Sequence, residues 1–187
     1  MMSILLVVIG ECSANNPFMI QYAQHKVLTG IGVFSLLGNV AIGVGLLLFI
    51  SCLYSISRKM LLIGGILLVI SIEGTILGIY FDSEEHHAFT FYLCLFYFFV
   101  LGLSIVPLVS LLPVELLEPR PLSFLVAGGY FVKLVIVWFS QAIFSNNAAD
   151  LAYLSIGLEV ICIVGVILLM IFFPETNFKS RVEILKR

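Results

Sequence analysis

Four ionisable residues, Glu11, Glu73, Lys133 and Glu159, stand inside long apolar runs of this sequence. At about 1.5 Å of helical rise per residue, each lies roughly 12 to 17 Å from the nearer end of its run, so the four share a depth near the middle of a bilayer. A charge at that depth costs about 2.5 to 3.5 kcal/mol on insertion scales. Each group must therefore meet a partner, line a watery cavity or, for the carboxyls, hold a proton. The chemistry open to them is ion pairing, proton exchange or contact with a polar solute. Three arrangements fit the residue types: an ion pair of Lys133 with Glu73 or Glu159, a solute or proton site that includes Glu11, and neutral carboxyls facing lipid.

The elements that must position these groups are apolar helices. Hydrophobic residues make up 61% of the 187-residue chain and charged ones 11%, with a mean hydropathy of +1.19, far outside the range of water-soluble domains. A helix crosses the hydrocarbon layer in about 20 apolar residues. Such spans read at about 2–23, 29–54, 60–81, 89–114, 122–146 and 151–173, leaving 174–187 as a tail. These spans predict an all-α polytopic membrane protein of six transmembrane helices in one domain. In the first span an apolar run, Ile4 to Ile9, gives way to Glu11, Ser13, Asn15, Asn16 and Pro17. That pattern suits a helix locally unwound beside a cavity. The alternative is a signal peptide over residues 1–14, with small residues Cys12 and Ala14 after the apolar run, although no Lys or Arg precedes it.

Charge sets the orientation. Arg58, Lys59, Arg120, Lys179, Arg181, Lys186 and Arg187 fall at alternate ends of the six spans, on one side, whereas the opposite loops carry Lys26, Asp82, Glu84, Glu85 and Asp150. Both termini are therefore expected in the cytoplasm, with the plasma membrane preferred over an internal one. The basic residues form no continuous stripe, which sets nucleic acid aside as a partner and leaves the lipid bilayer. Cys12, Cys52, Cys94 and Cys162 are too widely spaced for a metal knuckle and read as packing residues, so no metal or cofactor is expected. Glu84-Glu85-His86-His87 reads as a solvated loop. Gly74-x-x-x-Gly78 and Ala41-x-x-x-Gly45 permit close helix approach, and the aromatic run Phe91 to Phe99 reads as lipid-facing bulk. No nucleophile, base and orienter constellation emerges, so the chain does not read as an enzyme.

Further carboxylates and guanidiniums sit at the cytoplasmic helix ends. Glu115-Leu-Leu-Glu118-Pro119-Arg120-Pro121 follows the fourth span, and Pro174-Glu175-Thr176 follows the sixth. Ion pairs between such groups can hold one gate state closed and break in another. Ordered with Gly10-Glu11-Cys12-Ser13-Ala14-Asn15-Asn16, Ser57-Arg58-Lys59 and Val106-Pro107-Leu108-Val109-Ser110, these motifs resemble the C-terminal half of the sugar porters of the major facilitator superfamily, the glucose-transporter-like proteins. There the seventh helix carries Gln-Gln-x-Ser-Gly-x-Asn, a Gly-Arg-Arg turn follows the eighth, the tenth carries Gly-Pro-x-Pro-Trp and the twelfth ends in Pro-Glu-Thr. Glu11 stands where the family has its second Gln, Ala14 where it has Gly and Ser110 where it has Trp.

The resemblance implies half of a major facilitator fold and transport of a small polar, sugar-like solute by alternating access. It implies substrate contact by Asn16, Glu11 and, on a looser alignment, Asn39. By the same likeness Glu11 and Lys133 fall on cavity-lining helices and Glu73 and Glu159 on peripheral ones. Arg58, Glu115, Arg120 and Glu175 match the family's inner charge network. The missing half implies a partner: an N-terminal half, a second copy or a full-length relative. The competing expectation is a membrane protein that transports nothing and modulates such a relative.

Overall fold

Runs of Leu, Ile, Val and Phe that leave a backbone nothing but itself to bond must close their hydrogen bonds within each segment, and the chain does so as helices. The computed structural model describes residues 2–14, 16, 31–52, 55–82, 87–116, 119–144 and 148–172, and among these the fold is all-α. The elements are α1 (Met2–Ala14), α2 (Ile31–Cys52), α3 (Arg58–Asp82), α4 (His87–Val100), a π-helical turn (Leu101–Ile105) continuing into α5 (Val106–Leu116), α6 (Pro119–Phe144) and α7 (Ala148–Phe172). Because α4, the π turn and α5 form one rod, the described residues make six helical rods. Four of them, Arg58–Phe81, Phe89–Val114, Pro121–Phe139 and Ala149–Phe172, are long and apolar enough to cross a membrane. The apolar parts of the other two, Ile4–Ser13 and Leu36–Cys52, are shorter. Of the expected first span, α1 covers residues 2–14; Pro17 to Ala23 lie outside the described residues, as do Glu84 to His86 and the tail 174–187.

Prolines explain two departures from the expected boundaries. Pro119 and Pro121 lie in the first turn of α6, where no backbone N–H is needed, so the segment read as a turn is already helix. Pro107 cannot donate to the carbonyl of Leu103 and its ring crowds that turn. The ladder widens just before it, Val106 N–H reaching back to the Leu101 carbonyl. Elsewhere the ends are conventional. Ser57 caps α3, its Oγ accepting the Met60 N–H at 3.3 Å. Asp150 sits in the first turn of α7, where the helix dipole favours a negative charge.

Helix α1 occupies the centre, packing against α3, the π turn, α5, α6 and α7. Missing side chains on its neighbours bring it close: Gly129 of α6 faces Val7, Gly165 of α7 faces Ile9, and its own Gly10 faces Val109 of α5. Helix α2 packs instead on α4 and the π turn. At that crossing a Cβ on Gly45 would strike the Phe99 carbonyl and the Leu103 amide, and one on Gly102 would strike the backbone of Ile42. The Ala41-x-x-x-Gly45 pattern therefore marks a true backbone approach. Gly74-x-x-x-Gly78 does not, since a Cβ at either position meets nothing within 4 Å.

The Nζ of Lys59 donates to the Met170 carbonyl at 2.9 Å, setting the start of α3 beside the end of α7 and supplying a cation to the negative end of that helix. The outer surface is apolar: Leu47 is 69% exposed, Phe131 67% and Phe124 82%, which water would not tolerate over so wide an area but lipid does. Hydroxyls on that surface bond their own helices, Ser71 to the Leu67 carbonyl and Thr75 to that of Ser71. Together with the four long apolar helices, this surface is that of a multi-pass membrane protein.

Candidate functional site

Two polar features lie within this apolar bundle, one on each side of α1. The first is a cavity of about 230 Å³ between α1, α5 and α6. Its polar lining is Glu11, Ser110 and Tyr130, set among Val109, Pro113 and Leu125. Ser110 donates its hydrogen to the Val106 carbonyl at 3.0 Å, so toward the cavity it presents lone pairs. Pro113 has no N–H for the carbonyl of Val109, and both line the same wall.

Lys133 is not among the residues that line this cavity. Helices α1 and α6 both run antiparallel to α7, so they are parallel to each other. Val7 lies against Gly129, and a Cβ built on Gly129 would stand 3.8 Å from Glu11 Oε1. One turn on from each contact, about 6 Å along the axes, come Glu11 and Lys133 at the same depth. Lys133 is exposed on α6, and Glu73, its expected partner, is buried at 3% exposure. The Oε1 atoms of Glu73 and Glu159 make no hydrogen bond among the described residues.

The second feature is a buried cluster where α1 ends. Regular helix stops at Ala14, and Asn16, fully buried, is not helical. Its Nδ2 donates to Ser155 Oγ at 2.7 Å, and that hydroxyl donates back to Asn16 Oδ1 at 3.0 Å. Tyr97, also fully buried, donates its hydroxyl hydrogen to the Ser13 carbonyl at 2.7 Å, and Ser13 Oγ lies 3.3 Å from Cys162 Sγ. Glu73 of α3 faces the Asn16 amide and the Tyr97 phenol, with the half-buried Glu159 near enough for its charge to act on Glu73. Among the described residues no group of three metal-ligating side chains forms.

The candidate residues are thus divided. Glu11 lines the cavity, Lys133 is exposed on α6, Asn16 belongs to the opposite cluster, and Asn39 is exposed on α2. Arg58 and Arg120 open α3 and α6 at one end of the bundle, and Glu115 lies near the end of α5. The side chains of Arg120 and Glu115, and all of Glu175, lie outside the described residues, as does any network they form. Tyr97 and Ser155 join the Asn16 cluster without any sequence motif that marks them as site residues. Thr90, Cys94, Tyr97 and Leu101 are buried at the spacing of one helical face, so the aromatic run is not all lipid-facing bulk. On α7, Ser155, Glu159 and Cys162 fall at i, i+4 and i+7, a polar stripe legible in the sequence as a single inward face.

Compared with models of known protein families, with curated proteins and with solved structures, the chain matches none.

Proposed function

We propose that the protein moves a small polar solute across a membrane, a sugar first among the candidates, as one six-helix half of a transporter working by alternating access. The cavity at Glu11 carries this reading. A carboxylate, a serine with free lone pairs and a tyrosine around about 230 Å³ offer several hydrogen-bonding groups to one small molecule. The volume lies below the roughly 300 Å³ at which drug-sized pockets begin, which favours something the size of a monosaccharide. Glu11 would accept from solute hydroxyls. The broken end of α1 and the π turn before Pro107 supply the irregular backbone at which helices flex and solute sites form.

Helix α6 supports the need for a partner. Phe124, Phe131 and Trp138 are at least 63% exposed along it, a face wide enough to receive the second half of the transporter. The same face supports the second reading, a protein that transports nothing and docks on a full-length relative to modulate it.

Uptake of labelled hexoses, polyols and organic acids into cells expressing the full chain separates the two. Under the transport reading, wild type exceeds a vector control and Glu11→Gln, which keeps size and loses charge, lowers uptake about tenfold or more, the worth of one charge-assisted hydrogen bond. Uptake equal to the control, with co-purification of a full-length relative, would replace transport by modulation.

A further inference from the structure

Glu73 is set in a place that solute contact does not explain. It is 3% exposed, and its Oε1 has no hydrogen bond among the described residues. Helices α1, α4 and α7 and the π turn all pack against α3. The groups that face Glu73 are Cys12 of α1 and Asn16 just beyond it, Tyr97 with Cys94 beyond it from α4, and Glu159 with Cys162 from α7; the π turn holds nothing that titrates. No cation is among them. The basic residues on these helices are Arg58 and Lys59 on α3 and His87 on α4. Lys59 precedes Glu73 by about 21 Å of helical rise, and His87 precedes Tyr97 by about 15 Å.

The hydroxyl hydrogens of the cluster are already assigned, and the Asn16 amide keeps its second N–H for one oxygen of Glu73. A carbonyl can only accept, so the 2.7 Å contact with Ser13 uses the one hydrogen of the Tyr97 phenol. The Ser155 hydrogen goes to Asn16 Oδ1. Toward Glu73 the phenol therefore offers a lone pair, and a carboxylate facing it would set acceptor against acceptor. One hydrogen on the carboxyl turns that contact into an O–H···O bond and removes a charge from the membrane interior. Two carboxyls without a third metal-ligating side chain make a poor cage for a metal ion and a sufficient one for a proton.

We propose that Glu73 is a proton-binding site. A proton adds to its carboxylate, the resulting acid donates to the Tyr97 oxygen, and the half-buried Glu159 is the carboxyl through which that proton enters and leaves. The Asn16 amide ties the end of α1 to the same carboxyl, so loading and release of the proton change how α1, which also carries Glu11, is held. The site is thereby placed to couple solute movement to protons. This last step rests on the transport reading; the proton site itself rests only on α3 and α7 crossing the membrane.

Infrared spectra of the purified full chain in lipid bilayers, titrated with pH, test it without any transport assay. The expected spectrum contains a protonated-carboxyl C=O band that is lost in Glu73→Gln and unmoved by exchanging potassium for sodium. In Tyr97→Phe the band shifts to higher frequency because its acceptor is gone. In Glu159→Gln it remains but exchanges with deuterated water more slowly. A band that survives Glu73→Gln, ignores Tyr97→Phe or disappears on adding sodium overturns the assignment. If Glu73→Gln does not fold, the Tyr97→Phe shift still decides. Absence of solute uptake in the Glu11 experiment leaves these bands in place, so the two readings fail separately.

Discussion

Gly102→Leu is expected to yield little folded protein, because the leucine would need space that the backbone of Ile42 already fills. Forcing extra carbon atoms into a packed interior costs about 1–3 kcal/mol when side chains can give way, and more when the obstruction is backbone. Here the obstruction is the Ile42 Cα, carbonyl carbon and carbonyl oxygen, none of which moves without displacing α2 as a whole. Helix α2 rests chiefly on α4 and the π turn, so the loss reaches most of its attachment. Gly74→Leu is the control, since nothing lies within 4 Å of its Cβ position. Size-exclusion profiles and thermal unfolding in detergent should show Gly102→Leu aggregated or strongly destabilised and Gly74→Leu like wild type. Equal behaviour of the two would mean that the α2 crossing does not hold the fold together.

Asn16→Leu should act on both stability and transport. The amide and Ser155 are each fully buried and bond each other twice. Leucine leaves the serine and the Glu73 carboxyl without that partner, at about 1–3 kcal/mol for each buried group left unsatisfied. The double variant Asn16→Leu, Ser155→Ala removes the stranded hydroxyl and should recover part of the loss, a coupling of about 0.5–3 kcal/mol in a double-mutant cycle. Solute uptake should fall as well, because the end of α1 is no longer tied to α3 and α7. Melting unchanged from wild type would show that the amide is not structurally required.

How far the sequence reaches is clear from these residues. The helices, their approximate ends and the depth of Glu11, Glu73, Lys133 and Glu159 follow from apolar run length, because the bilayer fixes how much chain each crossing needs. Lateral placement does not follow, since depth says nothing about which helices are neighbours. Lys133 shares a level with Glu73 but lies on α6, which packs on α1, α5 and α7. Glu11 lines the cavity between α1, α5 and α6, and Lys133 is exposed on α6. Glu73, on a helix that the likeness to sugar porters makes peripheral, is among the most buried polar groups. Asn16 bonds Ser155, a partner 139 residues away that no local pattern connects to it. Tyr97 was hidden in an aromatic run whose buried stripe, read every three or four residues, was available all along.

A hydrated solute site between α1, α5 and α6 is tested most directly by the reactivity of a Ser110→Cys substitution in intact membranes. Cys12, Cys94 and Cys162 are buried, so replacing the half-buried Cys52 with alanine leaves a quiet background. A water-soluble, charged thiol reagent should label the substituted position, and an excess of the transported solute, hexoses first, should slow the labelling. Labelling only by a lipid-soluble reagent, with no effect of any solute, would show that the cavity faces acyl chains and would contradict transport through it.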